Sequence, residues 1–213
     1  MKPSSVHASK RTLFIATITV LALTWIAPRW PMEQALHGSL TVVGLAWLWQ
    51  HDRRWPLRTA HYASICTFMA IHSVAARWLY SNVPYDAWIA AITGGWSIND
   101  AFGLTSNHVD RVIHLLFGLC FAPALRHFIG QRWTALSARQ AFVLAVASVM
   151  CVSLVYEWFE WAIALSLSPE DAESYNGQQG DMWDAHADML LATLGALVAW
   201  PRGRSHRSVD ATP

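Results

Sequence analysis

Long apolar runs separated by short polar segments dominate this chain. A transmembrane helix needs about 20 predominantly apolar residues, and the runs approach or reach that length. Charged residues make up only 14% of the sequence, whereas they make up about a quarter of a typical soluble domain. We therefore predict an all-α, polytopic membrane protein with six transmembrane helices, at about residues 13–28, 33–50, 62–80, 109–129, 139–166 and 182–200.

Residues 83–107 interrupt this pattern. Pro84, the pair Gly94-Gly95 and the polar pair at 99–100 divide the apolar sequence into pieces that are too short to cross a bilayer. We expect this segment to lie at the membrane interface or to fold over the helices as a lid. The polar segments at 1–12 and 201–213 are expected to form tails on the cytoplasmic side.

The distribution of lysine and arginine predicts the orientation, because cytoplasmic segments carry an excess of both. With the N-terminus in the cytoplasm, three of the fifteen lie outside, namely Arg29, Arg77 and Arg111. Twelve lie inside, three to each segment: Lys2, Lys10, Arg11; Arg53, Arg54, Arg58; Arg126, Arg132, Arg139; Arg202, Arg204, Arg207. We therefore predict that both termini are cytoplasmic.

Acidic residues collect at one end of the predicted helices. Glu157 and Glu160 share a face of the fifth helix, and Asp184 and Asp188 share a face of the sixth. The fourth helix begins with an aspartate and a histidine one turn apart. In the predicted orientation, all of them lie near the outer ends of their helices. A carboxylate at the centre of a membrane helix costs about 2.5–3.5 kcal/mol, so the shared depth indicates a site.

A divalent metal would explain these carboxylates, since facing acids repel one another unless cations or protons intervene. A mixed carboxylate and histidine set suits zinc, manganese or iron, whereas a purely carboxylate set suits magnesium or calcium. The predicted metal ligands are Asp110, His114, Glu160, Asp188 and His72. The predicted catalytic residues are Glu157 and Asp184, and the predicted substrate-binding residues are Tyr80, Arg77 and Arg111.

Several other kinds of site are not indicated. The net charge of +1, with no basic face, argues against a nucleic-acid partner. Cys66, Cys120 and Cys151 are widely separated within apolar runs, which is typical of packing residues rather than of a metal or redox motif. The sequence has no Gly-rich phosphate loop, nucleophile elbow or His-Glu-x-x-His motif.

An ordered set of short motifs resembles the YjdF-type family of bacterial inner-membrane proteins over roughly residues 60–200. The motifs are YSNVP at 80–84, NHVDR at 107–111 with Ile113-His114, Gly118, Pro123, Tyr156-Glu157, Glu160-Trp161, GQQGDMWD at 177–184, and Asp188-Met189. Residues 76–80 read ARWLY where the family pattern leads us to expect GHYTY. The resemblance implies a small polytopic protein of the bacterial inner membrane, but it implies no reaction.

Three functions fit these features. The first is a metal-dependent enzyme that acts on a lipid or lipid-linked substrate near the outer leaflet and uses the metal to activate water or to position phosphate. The second is a cation- or proton-coupled transporter, although the cytoplasmic halves of the helices lack the polar groups of a through-path. The third is a structural assembly partner whose carboxylates hold the helices together.

Overall fold

The computed structural model describes residues 3–200, apart from the side chains of residues 3–8 and of Ser174. This part of the chain is all-helical, as predicted. It forms α1 (Pro3–Thr24), α2 (Pro31–Arg54), α3 (Thr59–Ala76), α4 (Tyr85–Thr93), α5 (Ile98–Phe102), α6 (Val109–Arg132), α7 (Ala138–Ala164), α8 (Pro169–Asn176) and α9 (Asp184–Val198). The predicted tail at 201–213, together with Lys2, lies outside the described residues.

The first three helices form one packed group. Helix α3 packs against both α1 and α2, and its buried side chains include Tyr62 and Met69. Lys10 of α1 is 6% exposed. Its ammonium lies 2.7 Å from an Asp52 carboxylate oxygen and donates to the Leu57 carbonyl at 2.6 Å. This buried ion pair fastens α1 to the end of α2 and to the loop before α3.

A second group consists of α6, α7 and α9, and α6 also packs against α3. The backbones of α6 and α9 touch where Gly118 crosses Gly195. A Cβ atom at Gly118 would lie 2.6 Å from the Ala196 nitrogen, and one at Gly195 would lie 2.9 Å from the Leu119 nitrogen. Small residues permit such close approach between membrane helices. The crossing fixes the position of α9 against α6.

The first turn of α7 has a complete capping box. The Ser137 hydroxyl accepts a hydrogen bond from the Gln140 N–H at 3.2 Å, and the Gln140 side chain accepts one from the Ser137 N–H at 2.8 Å. These bonds satisfy backbone donors that the first turn of a helix leaves unpaired. They define the end of α7 that is opposite to Glu157 and Glu160.

Residues 83–107 fold into the short helices α4 and α5, which an aspartate joins. The Asp86 carboxylate of α4 accepts hydrogen bonds from the Ser97 hydroxyl at 2.7 Å and from the N–H groups of Ile98 at 2.6 Å and Asn99 at 3.1 Å. The Ser97 hydrogen bond, followed by the backbone donors, lowers the pKa of Asp86. An interfacial or lid role for this segment stays a prediction.

Three elements differ most from the prediction. Helix α1 begins at Pro3 and ends at Thr24, whereas the first span was predicted at about 13–28. Helix α3 ends at Ala76 instead of continuing to Tyr80, because Leu79 and Tyr80 have φ values of 48° and 53°, which stop a right-handed helix. Helix α8 was not predicted. The Ser168 side chain caps its start, Pro169 occupies its first turn, and Gly177 ends it at φ 63°.

Within residues 3–200, α6 and α7 are the two helices that are both long and apolar enough to cross a membrane. The other predicted spans correspond to α1, α2, α3 and α9, and α9 has 15 residues where about 20 are needed. Two helices of this kind are consistent with the helical membrane class, while the number of spans and their orientation stay predictions.

Candidate metal centre

Three side chains from α6 and α9 converge on one point. Asp110 lies in the first turn of α6, His114 lies one turn further along, and Asp188 comes from α9. One potential ligand atom from each lies within 4.8 Å of the other two. The helical spacing of Asp110 and His114 places them on one face of α6, and the Gly118–Gly195 crossing brings α9 alongside that face. We call these three residues the triad.

The gaps between the polar atoms have the size of an ion. The His114 Nε2 atom lies 3.7 Å from an Asp110 oxygen and 3.8 Å from a Glu157 oxygen. Both distances are too long for hydrogen bonds. Two ligands that each lie about 2.1 Å from a zinc ion are roughly 3–4 Å apart. The geometry therefore suits a cation better than direct pairing, and Glu157 lies at the edge of the same space.

Buried oxygen atoms in the site lack hydrogen-bond partners. Asp188 is 2% exposed, and neither its Oδ1 atom nor the Glu157 Oε1 atom has a partner within the described chain. A buried, unpaired carboxylate oxygen is costly. A bound cation would remove that cost for both carboxylates at once.

Arg111 pairs with two aspartates at the mouth of the site. Its guanidinium donates to the Asp181 carboxylate and lies 3.6 Å from Asp184. It also donates to the His108 ring at 3.1 Å. The pKa of Asp181 is lowered, first by the hydrogen bond from the Trp183 N–H and then by Arg111. Arg111 therefore offsets the charge of Asp184 and Asp181, and it makes no ion pair with the triad.

His72 lies outside the triad, although it was predicted as a ligand. Its Nδ1 atom lies 2.9 Å from the Thr41 hydroxyl, and its Nε2 atom lies 2.8 Å from the Tyr80 hydroxyl. Both ring nitrogens are thus occupied by hydrogen bonds across α2, α3 and the turn at 79–80. Tyr80, predicted to contact substrate, is buried with this ring, and the pair forms one wall of the site.

Glu160 lies beside His37 instead of beside His114. Its carboxylate is 4.0 Å from the His37 Nδ1 atom, and neither His37 nitrogen has a hydrogen-bond partner within the described residues. Tyr175 of α8 stacks on the His37 ring at 4.4 Å and is 1% exposed. Tyr175 is not among the predicted site residues, because a single aromatic residue in a polar loop gives no periodic signal.

Arg77 has a structural position. Its guanidinium donates to the carbonyl oxygens of Thr24 and Ala27, the latter at 3.4 Å. These carbonyls belong to the end of α1 and to the residues just beyond it. Carbonyl groups at the end of a helix have no partner within the helix, so Arg77 satisfies them. The described contacts do not bring Arg77 to the predicted substrate site.

A cavity of about 260 Å³ adjoins two residues of the triad, Asp110 and His114. Its polar lining includes Thr41, His72, Tyr80, Asp110, His114, Ser153 and Tyr156, and its apolar lining is Leu40, Phe68, Met69, Ile113, Phe117, Phe121 and Val152. Apolar cavities with a few convergent polar groups are the usual form of ligand sites. The predicted site residues therefore adjoin a space that can hold a ligand.

The fold and the site define a class, that of helical membrane proteins with a buried carboxylate–histidine cluster. The chain belongs to the DUF2238 family of predicted membrane proteins, whose sequence profile matches residues 9–207. It is similar to the inner membrane protein YjdF of Escherichia coli strain K12, with 26% identity over 197 residues, which are 92% of this chain and 88% of that protein. No solved structure matches the chain. The resemblance and the membrane location expected from it are thereby confirmed.

Proposed function

We propose that this protein is a metal-dependent enzyme of the bacterial inner membrane that acts on a lipid or lipid-linked substrate. The observation that carries this proposal is the triad itself, whose ligand atoms lie within 4.8 Å of one another and two of whose members, Asp110 and His114, line an apolar cavity of about 260 Å³. A metal centre supplies reactivity, and an adjoining apolar cavity provides a place for a hydrophobic substrate.

The residues of the site have distinct roles in this proposal. Asp110, His114 and Asp188 hold the ion, and two carboxylates with one imidazole suit zinc, manganese or iron. A triad leaves coordination positions open for water and substrate, which is typical of catalytic metal sites. Glu157 lies 3.8 Å from His114 and has an unpaired oxygen, so it is the residue that would serve as general base beside the ion, which would supply an activated water.

The remaining predicted residues surround this centre. Asp184 is held by Arg111 at 3.6 Å and orients that guanidinium toward an anionic headgroup. Glu160 and Tyr80 line the adjacent wall with His37, to which they lie at 4.0 Å and, between ring centroids, at 4.8 Å. His72 positions Tyr80 through their hydrogen bond of 2.8 Å.

The membrane arrangement that supports this function has six spans and cytoplasmic termini. The distribution of twelve cytoplasmic and three outer basic residues supports it. In this arrangement the triad lies near the outer surface, and α4, α5 and α8 lie on the same outer side. Tyr175 of α8 is buried against His37, so α8 covers part of the site.

Metal analysis of the purified protein tests the proposal. Elemental mass spectrometry is expected to find about one transition-metal ion per chain, and Asp188→Asn is expected to lose it while the helical content and expression are retained. Glu170→Gln, on the exposed surface of α8, is the matched control and keeps the ion. A wild-type chain free of metal after purification and after incubation with zinc, manganese or iron would sink the proposal. If Asp188→Asn instead unfolds the protein, the result would favour the third function considered above, in which the carboxylates hold the helices together.

A further inference from the structure

We propose that the cavity holds a single hydrocarbon chain of a membrane lipid, which enters sideways between α2 and α7 and brings its polar headgroup to the triad. This inference rests on the proposed function for the role of the triad, but the location of the chain stands on separate observations. They are the gradient of polarity along α6, the aromatic lining and the position of the cavity mouth.

The cavity follows one face of α6. Its lining residues on this helix begin with Asp110 and His114 and continue through Ile113 and Phe117 to Phe121. At 1.5 Å per residue, the stretch from Asp110 to Phe121 is about 16 Å long. One leaflet makes up half of a hydrocarbon core about 30 Å thick. The cavity is therefore polar at one end, apolar at the other, and as long as one lipid chain in one leaflet.

Three phenylalanine rings form the apolar end. Phe68 meets Phe121 edge-on with ring centroids 5.3 Å apart, and Phe117 lies 4.9 Å from Phe121. The three rings pack against one another, yet they still border open space. Filling apolar space of this kind with a hydrocarbon chain is favourable, because the lining atoms gain dispersion contacts. The rings offer that chain a continuous surface and no hydrogen-bond partner.

We place the mouth of the cavity between α2 and α7, where its lining residues are exposed. Leu40 of α2 and Val152 of α7 line the cavity and are 38% and 51% exposed. Helix α2 packs on α3, and α7 packs on α6, α8 and α9, so Leu40 and Val152 border the cavity from the two different helix groups, and we infer a seam between these groups. In a membrane-embedded chain this seam faces lipid. A hydrocarbon tail reaches the cavity through it without leaving the bilayer.

Ser153 of α7 also lines the cavity. It is 2% exposed, its hydroxyl has no hydrogen-bond partner within the described chain, and it lines the cavity one turn before Glu157. Ser148 lies on the same helix, outside the cavity, and its hydroxyl donates to the Leu144 carbonyl at 2.8 Å. The two serines provide a matched pair for testing occupancy.

Photo-crosslinking in lipid nanodiscs tests the inference. The probes are a phosphatidic acid with a diazirine near the end of one acyl chain and a polyprenyl phosphate with a diazirine at its terminal isoprene unit. Both probes carry a phosphate and a hydrocarbon chain. The chain is an acyl chain of a phospholipid in the first probe and a polyprenyl chain in the second. Peptide mass spectrometry locates the label, and metal content is measured on the same samples.

Labelling by at least one probe is expected in the α6 peptide that contains Phe117 and Phe121. Ser153→Phe fills the cavity and is expected to lower this labelling about tenfold or more, since burial of two or more methylene groups is lost. Ser148→Phe is expected to leave it unchanged. Leu40→Trp obstructs the mouth from an exposed position, so it is expected to lower labelling and keeps the test valid even if Ser153→Phe fails to fold. Val42→Trp, also exposed on α2, is its control and is expected to leave labelling unchanged.

The labelling patterns distinguish the lipid site from its alternatives. Labelling confined to outward-facing residues such as Val155, or labelling that Ser153→Phe and Leu40→Trp do not reduce, would overturn the inference. Labelling of the cavity in a protein that binds no metal would support the lipid site while rejecting the metal-dependent enzyme. Labelling by the acyl probe alone or by the prenyl probe alone identifies the source of the chain.

Discussion

The Gln179 side chain and the Asn107 backbone form a reciprocal pair of hydrogen bonds. The Asn107 N–H donates to the Gln179 side-chain oxygen, and the Gln179 amide donates to the Asn107 carbonyl, both at 2.9 Å. The Asn107 side chain donates to the Val83 carbonyl at 2.8 Å. The segments that precede α6 and α9, which carry the triad, are therefore joined to each other and to the start of the segment at 83–107.

Replacing Gln179 tests this connection. Gln179→Ala removes both hydrogen bonds and is expected to lower the free energy of unfolding by about 1 kcal/mol, because the side chain is exposed and each net bond is worth roughly 0.5–1.5 kcal/mol. Gln178→Ala, which loses one exposed bond to Glu173, is the neighbouring control. Denaturant unfolding in detergent provides the measurement, and equal effects of the two variants would contradict the connection.

The crossing of α6 and α9 yields a second prediction. Gly118→Ala forces the two backbones apart and is expected to destabilise the protein by about 1–3 kcal/mol or more. It is also expected to reduce metal content, because Asp188 moves away from Asp110 and His114.

Gly130→Ala is the control on the same helix, since a Cβ there has no neighbour within 4 Å. This variant is expected to be as stable as the wild type or up to about 1 kcal/mol more stable. If Gly118→Ala matched Gly130→Ala in thermal unfolding and metal content, the close crossing would not govern the site.

The buried ion pair of Lys10 and Asp52 leads to a third prediction. Lys10→Met leaves the Asp52 carboxylate without its cation and is expected to cost somewhat less than the roughly 3–5 kcal/mol of a fully buried pair, because the Asp52 side chain is 15% exposed. In Lys10→Met/Asp52→Asn the uncompensated charge is gone, while the amide oxygen of the substituted side chain can still accept from the Leu57 N–H, as the Asp52 carboxylate does at 2.8 Å. The double variant should recover part of the loss, and Arg11→Met, on the exposed face of α1, should change little. Purely additive effects would show that the two groups do not interact.

The pH dependence of stability depends in part on Asp181. Its pKa in the folded state is lowered by the Trp183 N–H and by Arg111, so its contribution to stability is fully present above its unfolded pKa of about 3.9 and is lost as the pH falls through the folded value. Thermal unfolding is expected to show a larger fall in melting temperature between about pH 6 and about pH 3 for the wild type than for Asp181→Asn. Asp100→Asn, exposed on α5, should retain the wild-type slope, and an unchanged slope in Asp181→Asn would refute the assignment.

The stacking of Tyr175 on His37 gives a fifth prediction. The Tyr175 ring is almost fully buried, but its hydroxyl has no partner within the described chain. Tyr175→Phe should therefore leave the free energy of unfolding nearly unchanged, whereas Tyr175→Ala should lower it by about 3–5 kcal/mol. Hydrogen exchange is expected to rise in α8 in the alanine variant alone. Equal exchange in both variants would mean that the ring does not hold α8.

Local spacing carried much of the information about the site. Asp110 and His114 could be placed together because residues four apart share a helical face. Glu157 was placed with them because the predicted orientation puts all three near the outer ends of their helices. Asp188 joined the group because it lies one turn after Asp184. None of these inferences required knowledge of how the helices pack.

Contacts that depend on turns and on packing between helices could not be predicted from residue spacing. His72 is held by Tyr80 because the chain adopts positive φ values at 79 and 80, and a sequence of ordinary L-residues gives no sign of that conformation. Arg77 is close to the site in sequence, but it faces the end of α1. Tyr175 and Lys10 are isolated residues whose partners lie far away along the chain.

Where Gly118 meets Gly195, the distance between two helices is set by polypeptide backbone alone. Elsewhere in the bundle one apolar side chain can replace another of similar volume. At this crossing even the methyl group of an alanine would displace a whole helix. The sequence positions that restrict how this centre can evolve therefore lie one to two helical turns from the triad, at residues that take no part in its chemistry.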